Sequence, residues 1–135
     1  MLTILFLIIL NIYLYNNGYI QNKIGNLFAK GFLINKNYDN AKYWWNLSSQ
    51  KNNMNGQYNL AYYYENENNP DYDIKKSIEL YKKSADQGLN LASYSLCNIY
   101  YFNINNIKYK DGFDYCVKSA EKNYYPAQYM VGFAY

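Results

Sequence analysis

Apolar and small residues recur along most of the chain at intervals of three and four positions, which is the spacing of one face of an α-helix. Leu60 and Tyr64 are four residues apart, and Leu96 and Tyr100 repeat the same interval. Only the first fifteen residues depart from this helical pattern of apolar and polar positions, because they are almost wholly apolar. The pattern therefore predicts an all-α chain of short amphipathic helices that follows a hydrophobic N-terminal segment.

The helical pattern is itself repeated, with a period of 35 or 36 residues. One motif occupies residues 56–64, 92–100 and 127–135, and a second motif occupies residues 41–49, 77–85 and 112–120. Two helices per period predict helix–turn–helix units at about 19–54, 55–90 and 91–125, with a half unit at 126–135. One such hairpin cannot bury its apolar face alone, so neighbouring units must stack. The sequence thus predicts an α-solenoid of about three and a half repeats over residues 19–135.

Residues at the ends of the predicted helices support these boundaries. Asp73 precedes a second helix, where its carboxylate can cap the first turn. Asn52, Gly88 and Asn123 follow the three second helices, where a left-handed backbone conformation commonly ends a helix. Pro126 lies in the first turn of the last predicted helix, where its missing N–H costs least.

The repeated motifs resemble the Sel-one-like repeat family, which is related to the tetratricopeptide repeats. Residues of the second unit carry the resemblance: Leu60-Ala61 with Tyr64 in the first helix, and Lys76-Ser77, Leu80-Tyr81, Lys83-Ser84-Ala85 and Gln87-Gly88 in the second. The resemblance covers about 115 of the 135 residues. It implies a superhelix of antiparallel helix hairpins with adaptor or assembly roles, in which the first helices line a concave groove.

Composition excludes several chemistries. The chain has no histidine, which removes histidine general bases, the histidine-dependent nucleophile systems and imidazole metal sites. Two cysteines cannot form a four-thiolate metal site. A net charge of +3 with no arginine gives little reason to expect nucleic acid as a partner. We therefore expect no enzyme activity and no cofactor, and treat the acidic residues of 65–73 as a solvated loop rather than a calcium site.

Three recurring tyrosines are the candidate partner-binding residues. Tyr58, Tyr94 and Tyr129 each precede a core position by two residues, so a helix would turn them away from the core row. By the resemblance they would form a ladder in the concave groove, beside Tyr62, Asn98 and Phe133. Aromatic rings are favoured in binding sites because they supply a large contact area with little loss of entropy. The alternative is that the 20 tyrosines reflect AT-rich coding together with packing between repeats.

Cys97 and Cys116 fall on the two helices of one predicted hairpin, at positions that face each other. They could form a disulfide if the chain is exported, or remain two buried thiols if it is not.

Residues 1–18 permit three interpretations. The apolar run of residues 1–15 is short for a membrane span but fits the hydrophobic part of a signal peptide, although no positive charge precedes it. It could also be a short anchor, or a capping helix of the solenoid. This segment favours export or membrane association over the cytoplasm.

The sequence therefore predicts a non-catalytic scaffold that binds a protein or peptide. The alternatives are an exported or membrane-tethered host-interaction factor of the same fold and a secreted hydrolase-like relative. Because residue 135 falls inside a predicted first helix, the chain could also be part of a longer protein.

Overall fold

The computed structural model describes residues 2–31, 35–102 and 110–132, with the backbone alone at residues 110 and 111. Over these ranges the chain forms helices and turns without a β-strand. The helices are α1 (Leu2–Asn16), α2 (Gly18–Lys30), α3 (Tyr38–Gln50), α4 (Met54–Glu65), α5 (Ile74–Asp86), α6 (Asn90–Tyr101), α7 (Lys110–Glu121) and α8 (Tyr125–Gly132). The predicted all-α fold is confirmed.

Helices α2 to α8 pack in chain order. The pairs α2–α3, α4–α5 and α6–α7 are hairpins, and each hairpin packs on the next through α3–α4, α5–α6 and α7–α8. Helix α2 also contacts α4 directly, so adjacent first helices touch across a repeat boundary. The chain is therefore a solenoid in which α2, α4, α6 and α8 are the first helices of successive units, and we call the surface that they form the first-helix surface.

The turns between repeats follow the predicted chemistry. Asn52, Gly88 and Asn123 have φ angles of 55°, 98° and 61°, which is the left-handed conformation expected after each second helix. The Asp73 carboxylate accepts a hydrogen bond of 3.0 Å from the Lys76 N–H at the start of α5. Asparagine fills the same capping role at the starts of α2, α3 and α4.

Replacing Asp73 with alanine should lower the free energy of unfolding by about 1 kcal/mol, because one N–H of the first turn of α5 loses its acceptor. The matched control is Asp86→Ala in the exposed last turn of the same helix, where removal of a carboxylate should have no cost. Urea denaturation followed by circular dichroism measures both variants. Equal loss in the two variants would contradict the capping role.

Small residues allow the helices to approach closely. Ser48 Oγ donates a hydrogen bond of 2.5 Å to the Gly18 carbonyl, and Ser84 Oγ donates one of 2.8 Å to the Met54 carbonyl one repeat later. A Cβ on Gly56 would collide with the side chain of Ser48. The repeated serines and the glycine opposite them thus set the close contact of first and second helices.

A continuous core runs through the stacked units. Its most completely buried large side chains include Leu60, Tyr81, Leu96 and Ile99. The core passes from α3 to α6 without interruption, so each unit buries apolar surface against its neighbours.

Helix α1 is not part of this core. None of its residues is buried, and its side chains from Leu2 to Ile12 are exposed although nearly all are apolar. It meets α2 at an angle of 87°. Among the described residues no single helix has the length and hydropathy of a membrane span, and the bent pair α1–α2 satisfies both criteria only when its two helices are counted together.

Candidate protein-interaction surface

The first-helix surface carries the predicted partner-binding residues in two different environments. Tyr62 on α4 and Tyr129 on α8 are 62% and 61% exposed, whereas Tyr94 and Asn98 on α6 are half-buried. The ring of Tyr94 lies 4.8 Å from the ring of Tyr124. Phe133, the remaining predicted residue of α8, lies outside the described residues.

Tyr58 differs from the orientation expected of it. Its ring is half-buried against the core, with its centroid 5.6 Å from that of Tyr81 on α5. Helical spacing alone placed Tyr58 away from the core row of α4, but the second helix of the same hairpin reaches that side of α4. Tyr58 consequently contributes to packing within its unit.

A groove lies between α6 and α8, which are adjacent first helices. It encloses about 490 Å³ and is lined by Tyr94, Asn98, Tyr101, Phe102, Tyr125, Pro126, Tyr129 and Met130. Three residues predicted from the sequence, Tyr94, Asn98 and Tyr129, therefore meet at one site. The described lining includes five aromatic residues and no charged side chain, so this part of the site is suited to an apolar ligand surface.

Five of the eight groove residues were not predicted from the sequence. Tyr101 and Phe102 follow Tyr94 by seven and eight residues, and Tyr125 precedes Tyr129 by four, so all lie at helical spacing from predicted residues. That spacing could have identified them. They were missed because they occupy helix ends, where the repeated motif stops.

Amide side chains form a second feature of the first-helix surface. Asn59 Nδ2 on α4 donates hydrogen bonds of 2.7 Å to Asn22 Oδ1 and 3.0 Å to Asn26 Oδ1, both on α2. Asn26 Oδ1 also accepts a hydrogen bond of 3.0 Å from Trp45 Nε1. These amides bond to one another and tie the first two repeats together.

Two acidic residues between α4 and α5, Asp71 and Asp73, make contacts that stabilise the fold. Asp71 pairs with Lys42 Nζ at 2.6 Å and accepts a hydrogen bond of 3.0 Å from the Tyr63 hydroxyl, and these two contacts hold the pKa of Asp71 below its usual range. Asp73 caps α5. Among the described residues, no group of three or more cysteine, aspartate and glutamate side chains is arranged to hold a metal ion.

Glu65, at the end of α4, has an unusual environment. Its carboxylate accepts a hydrogen bond of 2.6 Å from the hydroxyl of the buried Tyr81. Burial raises the pKa of the Glu65 carboxyl, and the hydrogen bond from Tyr81 opposes part of that rise. Burial also raises the pKa of Tyr81, which keeps its hydroxyl protonated as the donor.

The raised pKa of Glu65 predicts a pH-dependent stability. The folded chain holds the Glu65 proton to a higher pH than the unfolded chain does. The free energy of unfolding should therefore fall as the pH rises from the unfolded-state pKa of Glu65 to its folded-state pKa. Glu65→Gln removes the ionisation and keeps an oxygen for Tyr81. Wild type should therefore lose stability relative to Glu65→Gln in urea titrations as the pH rises above about 4.3, the ordinary pKa of a glutamate side chain. Parallel pH profiles would contradict this.

Cys97 on α6 and Cys116 on α7 form a disulfide, with a Cα–Cα distance of 4.8 Å. The sequence had left a disulfide and two buried thiols as alternatives, and the structure contains the disulfide. Cys97 Sγ also lies 3.8 Å from Met130 Sδ, and Met130 lines the groove. The disulfide therefore packs against one residue of the groove wall, Met130.

A family model described as the Sel1 repeat matches residues 18–53 and 55–89, which together are more than half of the chain. The chain belongs to the Sel1 repeat family. Each matched range covers one helix pair, α2–α3 and then α4–α5. The resemblance inferred from Leu60-Ala61, Leu80-Tyr81 and Gln87-Gly88 is thus confirmed.

Relatives share both sequence and fold with this Sel1 repeat chain. A putative sel1-like repeat-containing protein of Acanthamoeba polyphaga mimivirus is 37% identical over 79 residues, which are 58% of this chain and 14% of the relative. A protective antigen from uropathogenic Escherichia coli strains, with an SLR fold, superposes with a TM-score of 0.78 at 27% identity, over 88% of this chain and 26% of that one. A Sel1 repeat protein from Oxalobacter formigenes superposes with a TM-score of 0.81 at 25% identity, over 90% of this chain and 49% of that one.

This chain spans less than half of each of these relatives. The Sel1 repeat is a helical solenoid that generally mediates protein–protein interactions and is typically a non-catalytic scaffold. The predicted fold is therefore confirmed.

Proposed function

We propose that this chain is a non-catalytic scaffold or adaptor that binds a protein or peptide on the first-helix surface. The observation that carries the proposal is the groove between α6 and α8, which gathers Tyr94, Asn98 and Tyr129 around an aromatic surface. Rings held by neighbouring helices lose little entropy on binding, which is why aromatic residues dominate many interfaces. The absence of histidine from the sequence agrees with a role that needs no general base.

Affinity capture with the full chain tests this proposal. The test variant replaces Tyr62, Tyr94 and Tyr129 with alanine, and the control replaces Tyr43, an exposed tyrosine on the second helix α3. Partners from a lysate of the source organism should be retained by wild type and by Tyr43→Ala and lost by the triple variant, provided that all three have the same helical circular dichroism. Partners retained by the triple variant would place the interface elsewhere.

We further propose that α1 attaches the scaffold to a lipid bilayer or directs its export. A helix that is apolar on all sides is stable only when that surface is covered, and α1 exposes all of its side chains from Leu2 to Ile12. Residues 2–16 contain no charge that would oppose insertion into hydrocarbon.

Flotation with uncharged phosphatidylcholine vesicles tests the membrane role. Wild type should float with the vesicles, whereas Ile8→Asp/Ile9→Asp should remain in solution because two carboxylates in α1 oppose burial in lipid. Leu91→Asp, at an exposed apolar position of α6, is the matched control and should still float. Wild type that stays in solution would exclude attachment through α1.

A further inference from the structure

We propose that the junction between α1 and the first hairpin binds anionic phospholipids, with aromatic side chains at the bilayer surface and two lysines on the lipid headgroups. This α1 junction consists of Tyr13, Tyr15, Lys23, Trp44 and Lys51. The inference rests on the proposed membrane role of α1, and it names the class of lipid and the residues outside α1 that would contact it.

Aromatic side chains lie beside the last turn of α1, where its apolar surface ends. Tyr13 and Tyr15 are 54% and 42% exposed. The ring centroid of Trp44 on α3 lies 5.6 Å from that of Tyr15 and 5.6 Å from that of the exposed Tyr43. Tyrosine and tryptophan are enriched at membrane–water interfaces, because the ring contacts lipid while the polar group stays in water. This cluster therefore indicates the level of the bilayer surface on the protein.

Two exposed lysines lie close to the same turn. Lys51, which follows α3, donates a hydrogen bond of 3.3 Å to Oδ1 of Asn16, the last residue of α1. Lys23 Nζ lies 5.2 Å from the ring centroid of Tyr19, in the first turn of α2. Both contacts are with neutral groups, so each ammonium keeps its charge for an anionic ligand.

The angle of 87° between α1 and α2 holds these residues near one level. If α1 enters the bilayer along its normal, the hairpin of α2 and α3 runs along the membrane surface. Lys23 on α2 and Trp44 on α3 then stay near the headgroups. Apolar, aromatic and basic residues follow one another in the order of the hydrocarbon, the interface and the headgroups of a bilayer.

The positive charge of the chain is concentrated in the half that carries α1. Residues 1–64 contain five lysines and one acidic residue, Asp39, which gives a net charge of +4. Residues 65–135 contain eight lysines and nine acidic residues, which gives −1. An anionic bilayer attracts the positive end and turns it towards the membrane. A second copy joined through α1 would instead bring like charges together, so charge complementarity favours lipid.

Vesicle binding by the full chain tests the headgroup contact. Partition coefficients are compared between vesicles of phosphatidylcholine alone and vesicles of equal parts phosphatidylcholine and phosphatidylglycerol. The test variant is Lys23→Gln/Lys51→Gln. The matched control is Lys75→Gln/Lys83→Gln, which removes two exposed lysines from α5 in the next unit. Because both variants lose the same charge, a difference between them reports the position of the lysines.

We expect wild type and the α5 control to bind anionic vesicles about ten-fold or more tightly than uncharged vesicles, and salt to reduce this gain. Each lysine near an anionic surface contributes roughly five-fold, so most of the gain should disappear in Lys23→Gln/Lys51→Gln. Binding of that variant to uncharged vesicles should not change. No gain for wild type, or equal gains for the two lysine variants, would overturn the inference.

Quenching by brominated phosphatidylcholine tests the aromatic contact, because bromine quenches only indole rings that reach the lipid. The chain has two tryptophans. Trp45 is 5% exposed, so we expect only Trp44 to be quenched. Vesicle-bound wild type should therefore lose fluorescence, and Trp44→Phe should not. Unquenched bound wild type, or quenching that persists in Trp44→Phe, would contradict contact between α3 and the bilayer and overturn the inference.

The two proposals fail separately. If wild type floats with uncharged vesicles but shows neither the anionic gain nor the quenching of Trp44, α1 remains the attachment and the headgroup surface is wrong. If Ile8→Asp/Ile9→Asp binds anionic vesicles as tightly as wild type, the lysines act without α1 and its attachment role is wrong. A wild-type oligomer that stays in solution and is dissociated by Ile8→Asp/Ile9→Asp would overturn both, because a second copy would then cover α1.

Discussion

Replacing Tyr81 with alanine should lower the free energy of unfolding by about 3–5 kcal/mol, as expected for truncation of a fully buried aromatic side chain. Tyr81 packs against Tyr58 within its own unit, so the cavity would open inside the continuous core. The variant would also leave the carboxylate of Glu65 without the hydroxyl that it accepts a hydrogen bond from. Because domains of this size are stable by only about 5–15 kcal/mol, this is a large fraction of the total.

Two further variants separate the causes. Tyr62→Ala removes an exposed tyrosine from the neighbouring helix α4 and should change stability by less than about 0.5 kcal/mol. Tyr81→Phe keeps the ring and removes only the hydroxyl, so its loss should fall between those of the other two variants. Urea denaturation followed at 222 nm measures all three. Equal stability of Tyr81→Ala and Tyr62→Ala would show that the core does not depend on this ring.

Reduction of the disulfide between Cys97 and Cys116 should cost about 3 kcal/mol of stability. The bond joins residues 19 positions apart, and closing a loop of that length restricts the unfolded chain by about this amount. The double variant Cys97→Ala/Cys116→Ala should unfold at a lower urea concentration than oxidised wild type, and a phosphine reductant should bring wild type down to a similar midpoint.

The reductant should leave the double variant unchanged, which controls for effects of the reagent. Intact mass spectrometry of unreduced wild type should give a mass lower than that of the reduced chain by two hydrogens. Wild type with the reduced mass, or with a midpoint that does not respond to the reductant, would contradict this prediction.

Helical periodicity predicted the architecture because each repeat contains the same few constraints. The left-handed residues Asn52, Gly88 and Asn123 ended the second helices where the sequence placed them, since few residue types tolerate that backbone conformation. The facing positions of Cys97 and Cys116 followed from the same register. These features depend on the backbone path, which the repeat defines.

The site was less predictable because it depends on contacts between helices. Periodicity assigns a residue to a face of its own helix, but it does not say how far a neighbouring helix extends over that face. Tyr58 was expected to point outwards and instead packs on Tyr81. Phe102 and Tyr125 were overlooked because they lie at helix ends, yet the approach of α6 to α8 brings them into the groove.

The disulfide also determines how the solenoid would respond to mechanical force. If a partner or a membrane pulled on the two ends of the chain, the helices outside α6 and α7 could straighten while the segment between Cys97 and Cys116 stayed closed. Nineteen peptide units correspond to about 65 Å of extended chain, and this length cannot extend until the disulfide is reduced. Under tension, the extensible length of this protein would therefore depend on the redox potential of its surroundings.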